Sequence, residues 1–128
     1  MNDDDEQAVS LLRQQLKSAF WDIHYHEKAL RMAHKHLGVV RSFLEYTDLS
    51  VTDEKAAAIY VDGAEIEDCE SPLELAQWML GSALHSITHH EDGLKTAHAA
   101  LGSWKALMLR ASIDLPLAEI EQEALKNA

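Results

Sequence analysis

The sequence predicts an all-α fold: two pseudo-symmetric 64-residue repeats, each a long helix plus a short helix, packed as an antiparallel helical bundle. Three observations predict it. Residues 23–38, IHYHEKALRMAHKHLG, lie without a gap over residues 87–102, ITHHEDGLKTAHAALG, and eight of the sixteen positions are identical. The offset of 64 is half of the 128-residue chain, and such self-similarity marks a repeated structural unit. Apolar residues recur at spacings of three and four, the period of a helix face, and no stretch alternates with the two-residue period of a strand.

The first long helix is expected to begin near Asp5, where acidic residues suit the positive end of the helix dipole. Its apolar positions are Val9, Leu12, Leu16, Ala19, Ile23, Leu30, Ala33, Leu37, Val40 and Leu44, with one interruption at His26. A short helix follows, opened by Thr52, Asp53, Glu54 and Lys55 and running to about Val61. Asp62, Gly63 and the acidic stretch Glu65 to Glu70 read as the connector, with turn chemistry at Gly63. Ser71, Pro72 and Glu74 then supply an N-cap, a preset first helical position and a capping-box acid for the second long helix. Its apolar positions are Leu73, Ala76, Leu80, Ala83, Ile87, Leu94, Ala97, Leu101, Trp104 and Met108, interrupted at His90, the equivalent place. Pro116 opens the last short helix, which runs to about Leu125. The chain is thus read as one domain, residues 1–128, built from about 1–64 and 65–128.

Two features of the long helices go beyond a simple core stripe. Gly38 and Gly102 occupy equivalent sites inside the helical pattern, where each costs about 1 kcal/mol relative to Ala. Because the apolar spacing continues through both, unbroken helices that approach a neighbouring backbone or a ligand at these points are expected. The first helix also carries a second apolar stripe opposite the first, made of Trp21, Tyr25, Met32, Val39 and Phe43. One hairpin cannot bury two opposite faces, so the stripe is expected to be covered either by the short helices or by a second chain in a homodimer.

The candidate chemistry is a duplicated His-Glu-x6-His set: His26, Glu27 and His34 in one copy, His90, Glu91 and His98 in the other. At 100° per residue each set falls on the core side of its helix, where polar groups need partners. Imidazole and carboxylate together suit Zn, Fe or Mn. His26 and His34 are eight residues apart, about 12 Å along the axis, so one helix cannot chelate one ion with both. Clusters must therefore form across helices, and the register decides which. With the pseudo-twofold axis level with Leu30 and Leu94, His26 and Glu27 face His98, and His90 and Glu91 face His34. With the axis near Glu27 and Glu91, a single His26, Glu27, His90, Glu91 cluster forms. The competing readings are a cross-helix hydrogen-bond network that sets the register, and a small-ligand pocket to which Arg41 and Lys105 add positive charge near Gly38 and Gly102. His85 and His89, one turn apart, are expected on the surface away from the core stripe.

Charge and composition bound the function. Eleven Lys and Arg against 22 Asp and Glu give a formal charge of −11, which argues against direct nucleic-acid binding because phosphate backbones recruit clustered cations. A protein partner with a basic surface fits that charge. No apolar run reaches the length of a membrane span, and the acidic start is unlike a signal peptide, so a cytoplasmic location is expected. The single Cys69 has no disulfide partner in the chain. The leading expectation is an acidic helical binding protein of inhibitor or adaptor type, homodimeric, without catalysis. A Zn-, Fe- or Mn-dependent protein or hydrolase, and a small-ligand sequestering protein with two symmetric pockets, are the alternatives.

Overall fold

The computed structural model describes residues 3–60 and 65–126. Among them the structure is helical with no strand: α1 (Asp3–Thr47), α2 (Asp53–Ile59), a single 3-10 turn (Ile66–Asp68), α3 (Pro72–Ala111) and α4 (Leu117–Leu125). Both long helices are uninterrupted. The expected turn at Gly63 lies outside the described residues.

Local sequence accounts for the helix ends. The Thr52 hydroxyl accepts the Lys55 N–H at 3.2 Å, and Asp53 and Glu54 in the first turn of α2 meet its dipole. At the start of α3 the Ser71 hydroxyl accepts the Glu74 N–H at 3.2 Å, the expected cap. The Glu74 carboxylate reaches one residue further back than a capping box requires and accepts the Glu70 N–H at 2.8 Å. Helix α3 ends when Ser112 turns left-handed at φ 54. The Ile113 N–H then returns to the Met108 carbonyl at 2.9 Å and the Ser112 N–H to Leu109 at 3.3 Å, the paired bonds of a Schellman motif. Asp48, directly after α1, is also left-handed at φ 55.

The chain divides into two compact units. The first comprises Met1–Lys28 and Asp92–Ala128, so it holds the first part of α1, the second half of α3 and all of α4. Its core is Leu12, Leu16 and Ala19 from α1, Leu101 and Met108 from α3, and Ile120 from α4, with Phe20, Ile23 and Trp104 packed against it. Here α1 and α3 run antiparallel, because His26 meets Gly93 while Leu12 and Leu16 share the core with Leu101 and Met108. Arg13 and Lys17 of α1 tie down α4 through Glu123 at 3.0 and 2.9 Å.

The second unit is Ala29–Glu91. Its core is Val40 from α1, Ala56 from α2, and Leu80 and Ala83 from α3, with Leu37, Leu44, Val51, Met79 and Leu84 packed against it. Helix α2 lies unusually close to α3. A Cβ placed on Gly81 would fall 2.6 Å from the Tyr60 Cβ and 2.8 Å from the Ala56 carbonyl oxygen. Small residues on both sides, Gly81 and the fully buried Ala56, allow that approach. Arg41 completes the attachment with a fork onto Asp53, at 3.1 and 2.9 Å.

The glycines therefore behave differently from the sequence expectation. Gly38 and Gly102 sit in unbroken helix as expected, but nothing lies within 4 Å of a Cβ at either, so neither marks a close approach. Gly81 and Gly93 do. The reason is rotational: Gly38 follows Leu37 and Gly102 follows Leu101, one residue or 100° beyond the packed row, where the helix faces outward.

This division fixes the sign of three substitutions. Gly38→Ala and Gly102→Ala are expected to stabilise the fold by about 0.5–1 kcal/mol each through helix propensity. Gly81→Ala is expected to destabilise it by about 1–3 kcal/mol through overpacking against backbone. Urea denaturation followed by circular dichroism measures all three.

Candidate functional site

The seam of each unit is a strict three-four row, and the two interrupting histidines belong to it. In α1 the row runs Leu12, Leu16, Ala19, Ile23, His26, Leu30, Ala33, Leu37, Val40, Leu44. In α3 it runs Ala76, Leu80, Ala83, Ile87, His90, Leu94, Ala97, Leu101, Trp104, Met108. His26 and His90 are accordingly half-buried. Glu27, His34, Glu91 and His98 each lie one residue past a seam position and are exposed. The expectation that all six sit on the core side needs this correction: a seam of coiled-coil type buries little beyond its two rows, and a 100° step leaves it.

His26 meets α3 at a specific place. The ring lies where a side chain at position 93 would stand, with Cε1, Nε2 and Nδ1 all 2.3–2.7 Å from an ideal Cβ on Gly93. Tyr25 packs against the same imidazole edge to face, centroids 5.1 Å apart, and Trp21 stacks on Tyr25 at 5.3 Å with planes 7° apart. His26 is thus opposite Gly93 and not opposite His98, which lies five residues or about 7.5 Å further along α3. The register that pairs His26 and Glu27 with His98 is not the one adopted.

The second histidine group forms a row of rings. Tyr60 of α2 lies 5.4 Å from His85, His85 is 6.4 Å from His89 with planes 18° apart, and His89 meets His90 edge to face at 5.0 Å. His85 and His89 are exposed, as expected. Among the described residues no three His, Cys, Asp or Glu side chains gather as a group able to hold a metal, and no buried side-chain nitrogen or oxygen lacks a hydrogen-bond partner.

The remaining candidates separate clearly. Arg41 is engaged by Asp53, so its charge secures α2 instead of serving a ligand. Lys105 is exposed. Cys69 is half-buried, and partial desolvation, then the nearby Glu74, Asp68 and Glu67 charges, push its thiol up from its ordinary value. This disfavours a reactive thiolate. Trp21, Tyr25, Met32, Val39 and Phe43 are all exposed. Gly81 and Gly93, which make the close approaches, had a signal in the sequence: 64 residues earlier stand Lys17 and Ala29, not glycines.

No known family, characterised protein or solved structure matches the chain. No helix among the described residues is long and apolar enough to cross a membrane.

Two tests follow from the ring and ion-pair geometry. Gly93→Ala is expected to cost about 1–3 kcal/mol in the native protein, because the His26 ring must move. In a His26→Ala background the same change is expected to gain up to about 1 kcal/mol from helix propensity. A double-mutant cycle read by urea denaturation reveals this reversal, and additive effects would mean that the two residues do not touch.

The second test concerns acid. Hydrogen bonding from Arg41 holds the Asp53 carboxyl below its ordinary value, and hydrogen bonding from Lys17, then Arg13, does the same for Glu123. A carboxylate with a lowered folded pKa stabilises above its unfolded value, and that contribution is lost as pH falls through the folded one. Both pairs are exposed and the effect is small. Stability measured between about pH 5 and 3 is expected to fall less steeply in an Asp53→Asn, Glu123→Gln double variant than in the native chain.

Proposed function

We propose that this chain is a tandemly duplicated helical interaction protein that associates with a second copy of itself through the outer face of α1. One observation carries the reading: the second apolar stripe remains uncovered although both short helices are already placed. Ala56 of α2 and Ile120 of α4 have no exposed surface, because each is committed to the core of its own unit. Trp21, Tyr25, Met32, Val39 and Phe43 meanwhile retain 41–64% exposure. That exposure supports a second chain as the cover of the stripe.

The stripe is also longer than the sequence reading made it. Leu11 is 58% exposed and Tyr46 93%, and Leu11, Tyr25, Met32, Val39 and Tyr46 all fall on one seven-residue spacing. Trp21 precedes Tyr25 by four residues and Phe43 follows Val39 by four, so at 100° per residue they flank the row on its two sides. Single exposed apolar residues need no explanation, but an ordered row does.

The duplication is supported by features that recur at the same offset of 64. Helices α1 and α3 end at Thr47 and Ala111, and each is followed by a left-handed residue, Asp48 and Ser112. The caps of the short helices are Thr52 and Pro116, and the buried residues within them are Ala56 and Ile120. A two-unit chain with one uncovered apolar row suits an adaptor or inhibitor, whose work is to hold a surface in place.

Sedimentation velocity on tag-free protein is expected to give a dimer. Trp21→Glu combined with Tyr25→Lys, and separately Val39→Glu, are expected to give a monomer with unchanged helicity, because these side chains contribute little to either core. A native chain that sediments as a monomer over a wide concentration range would overturn the self-association.

A further inference from the structure

We propose that His85 and His89 of α3 chelate a single divalent transition-metal ion of the Cu(II) or Zn(II) class, on a surface separate from the outer face of α1. Of the eight histidines, only these two are four residues apart. That spacing stacks two side chains on one helical face, and it is how helical zinc motifs bring two imidazoles to one ion. Both residues are exposed, and their rings are already near parallel, 18° between planes with centroids 6.4 Å apart. With bonds of about 2.0–2.1 Å, two imidazoles sharing an ion at tetrahedral or octahedral angles hold their centroids about 5 Å apart. Side-chain rotation alone closes that difference, since the positions lie well inside the uninterrupted α3 (Pro72–Ala111).

The surroundings restrict both rings. Tyr60 lies 5.4 Å from His85 and is itself held by the close approach of α2 at Gly81. His90 stands edge to face against His89 at 5.0 Å. Rings limited in this way lose less freedom on binding an ion. Two imidazoles and no carboxylate select the borderline metals over Mg and Ca. Because no group of three candidate ligands gathers among the described residues, the site uses two protein nitrogens, with water completing the shell. The chain's formal charge of −11 draws cations toward it.

Isothermal titration of tag-free protein with Cu(II), and separately with Zn(II), tests the site. The expected result is one equivalent per chain, with at least a tenfold loss of affinity in both His85→Gln and His89→Gln and no loss in His34→Gln. Electron paramagnetic resonance of the copper form is expected to show coupling to two nitrogens, reduced to one in either variant. Circular dichroism checks that the exposed substitutions leave the helices intact. Absence of binding at excess ion, or binding that persists in both variants, would overturn the proposal. The dimer reading is independent of it, because sedimentation of metal-free protein tests that separately.

Discussion

Each unit depends on a seam only two rows wide. A helix pair that buries residues three and four apart encloses a narrow strip, and the next residue, 100° around, is already outside. The three-four row in α1 and α3 determines which residues are fully enclosed, among them Leu16, Val40 and Leu80. It also divides each polar set. His26 and His90 occupy seam positions and are half-buried, whereas the Glu that follows each is in water. A single rotational step separates a residue that must be accommodated by the opposite helix from one that need not be.

That accommodation differs between the units. In the first, the imidazole of His26 is a large planar group in a row of aliphatic ones, and α3 makes room with Gly93. The short helix α4 is spaced by a bulky buried Ile120 and anchored by charge from Arg13 and Lys17. In the second, the docking of α2 inverts the pattern: Ala56 replaces the bulky residue, and Gly81 stands where the first copy has Lys17, so backbone and side chain come into direct contact. Arg41 of α1 then supplies the ion pair, because Gly81 has no side chain to do so. The two short helices are thus attached by different physical means, although the long helices end 64 residues apart.

Much of the fold was legible because it follows from period and capping. The three-four spacing of Leu12 through Leu44 and of Leu73 through Met108 defined both long helices, and Thr52 and Ser71 marked starts that the hydroxyl hydrogen bonds bear out. The membership of the two cores was largely readable for the same reason. The candidate site was less so. Spacing places Glu27 and His34 near the seam, but whether "near" means buried depends on how wide an arc the neighbouring helix covers, and this is a property of packing. The partner of His26 depends on register, which one helix does not contain. Gly38 and Gly102 recur at the offset of 64 without any close approach, whereas Gly81 and Gly93, which have no glycine at that offset, are the ones that other groups approach.

The outer face of α1 has to be weighed against the economy of the rest. The described chain leaves no buried side-chain polar atom unpaired, caps α2 and α3 with hydroxyls, and places its ion pairs where they attach short helices. A surface equally settled by folding alone would carry polar residues on α1 away from the seam, as Arg31, Lys35 and Glu45 do. Beside Phe43, and like it contributing to neither core, stand Met32, Val39 and Tyr46. Their spacing repeats every seven residues, the period with which one helix meets another. Folding of the monomer does not demand that period on this face, and the proposed pairing of α1 with a second copy would use it.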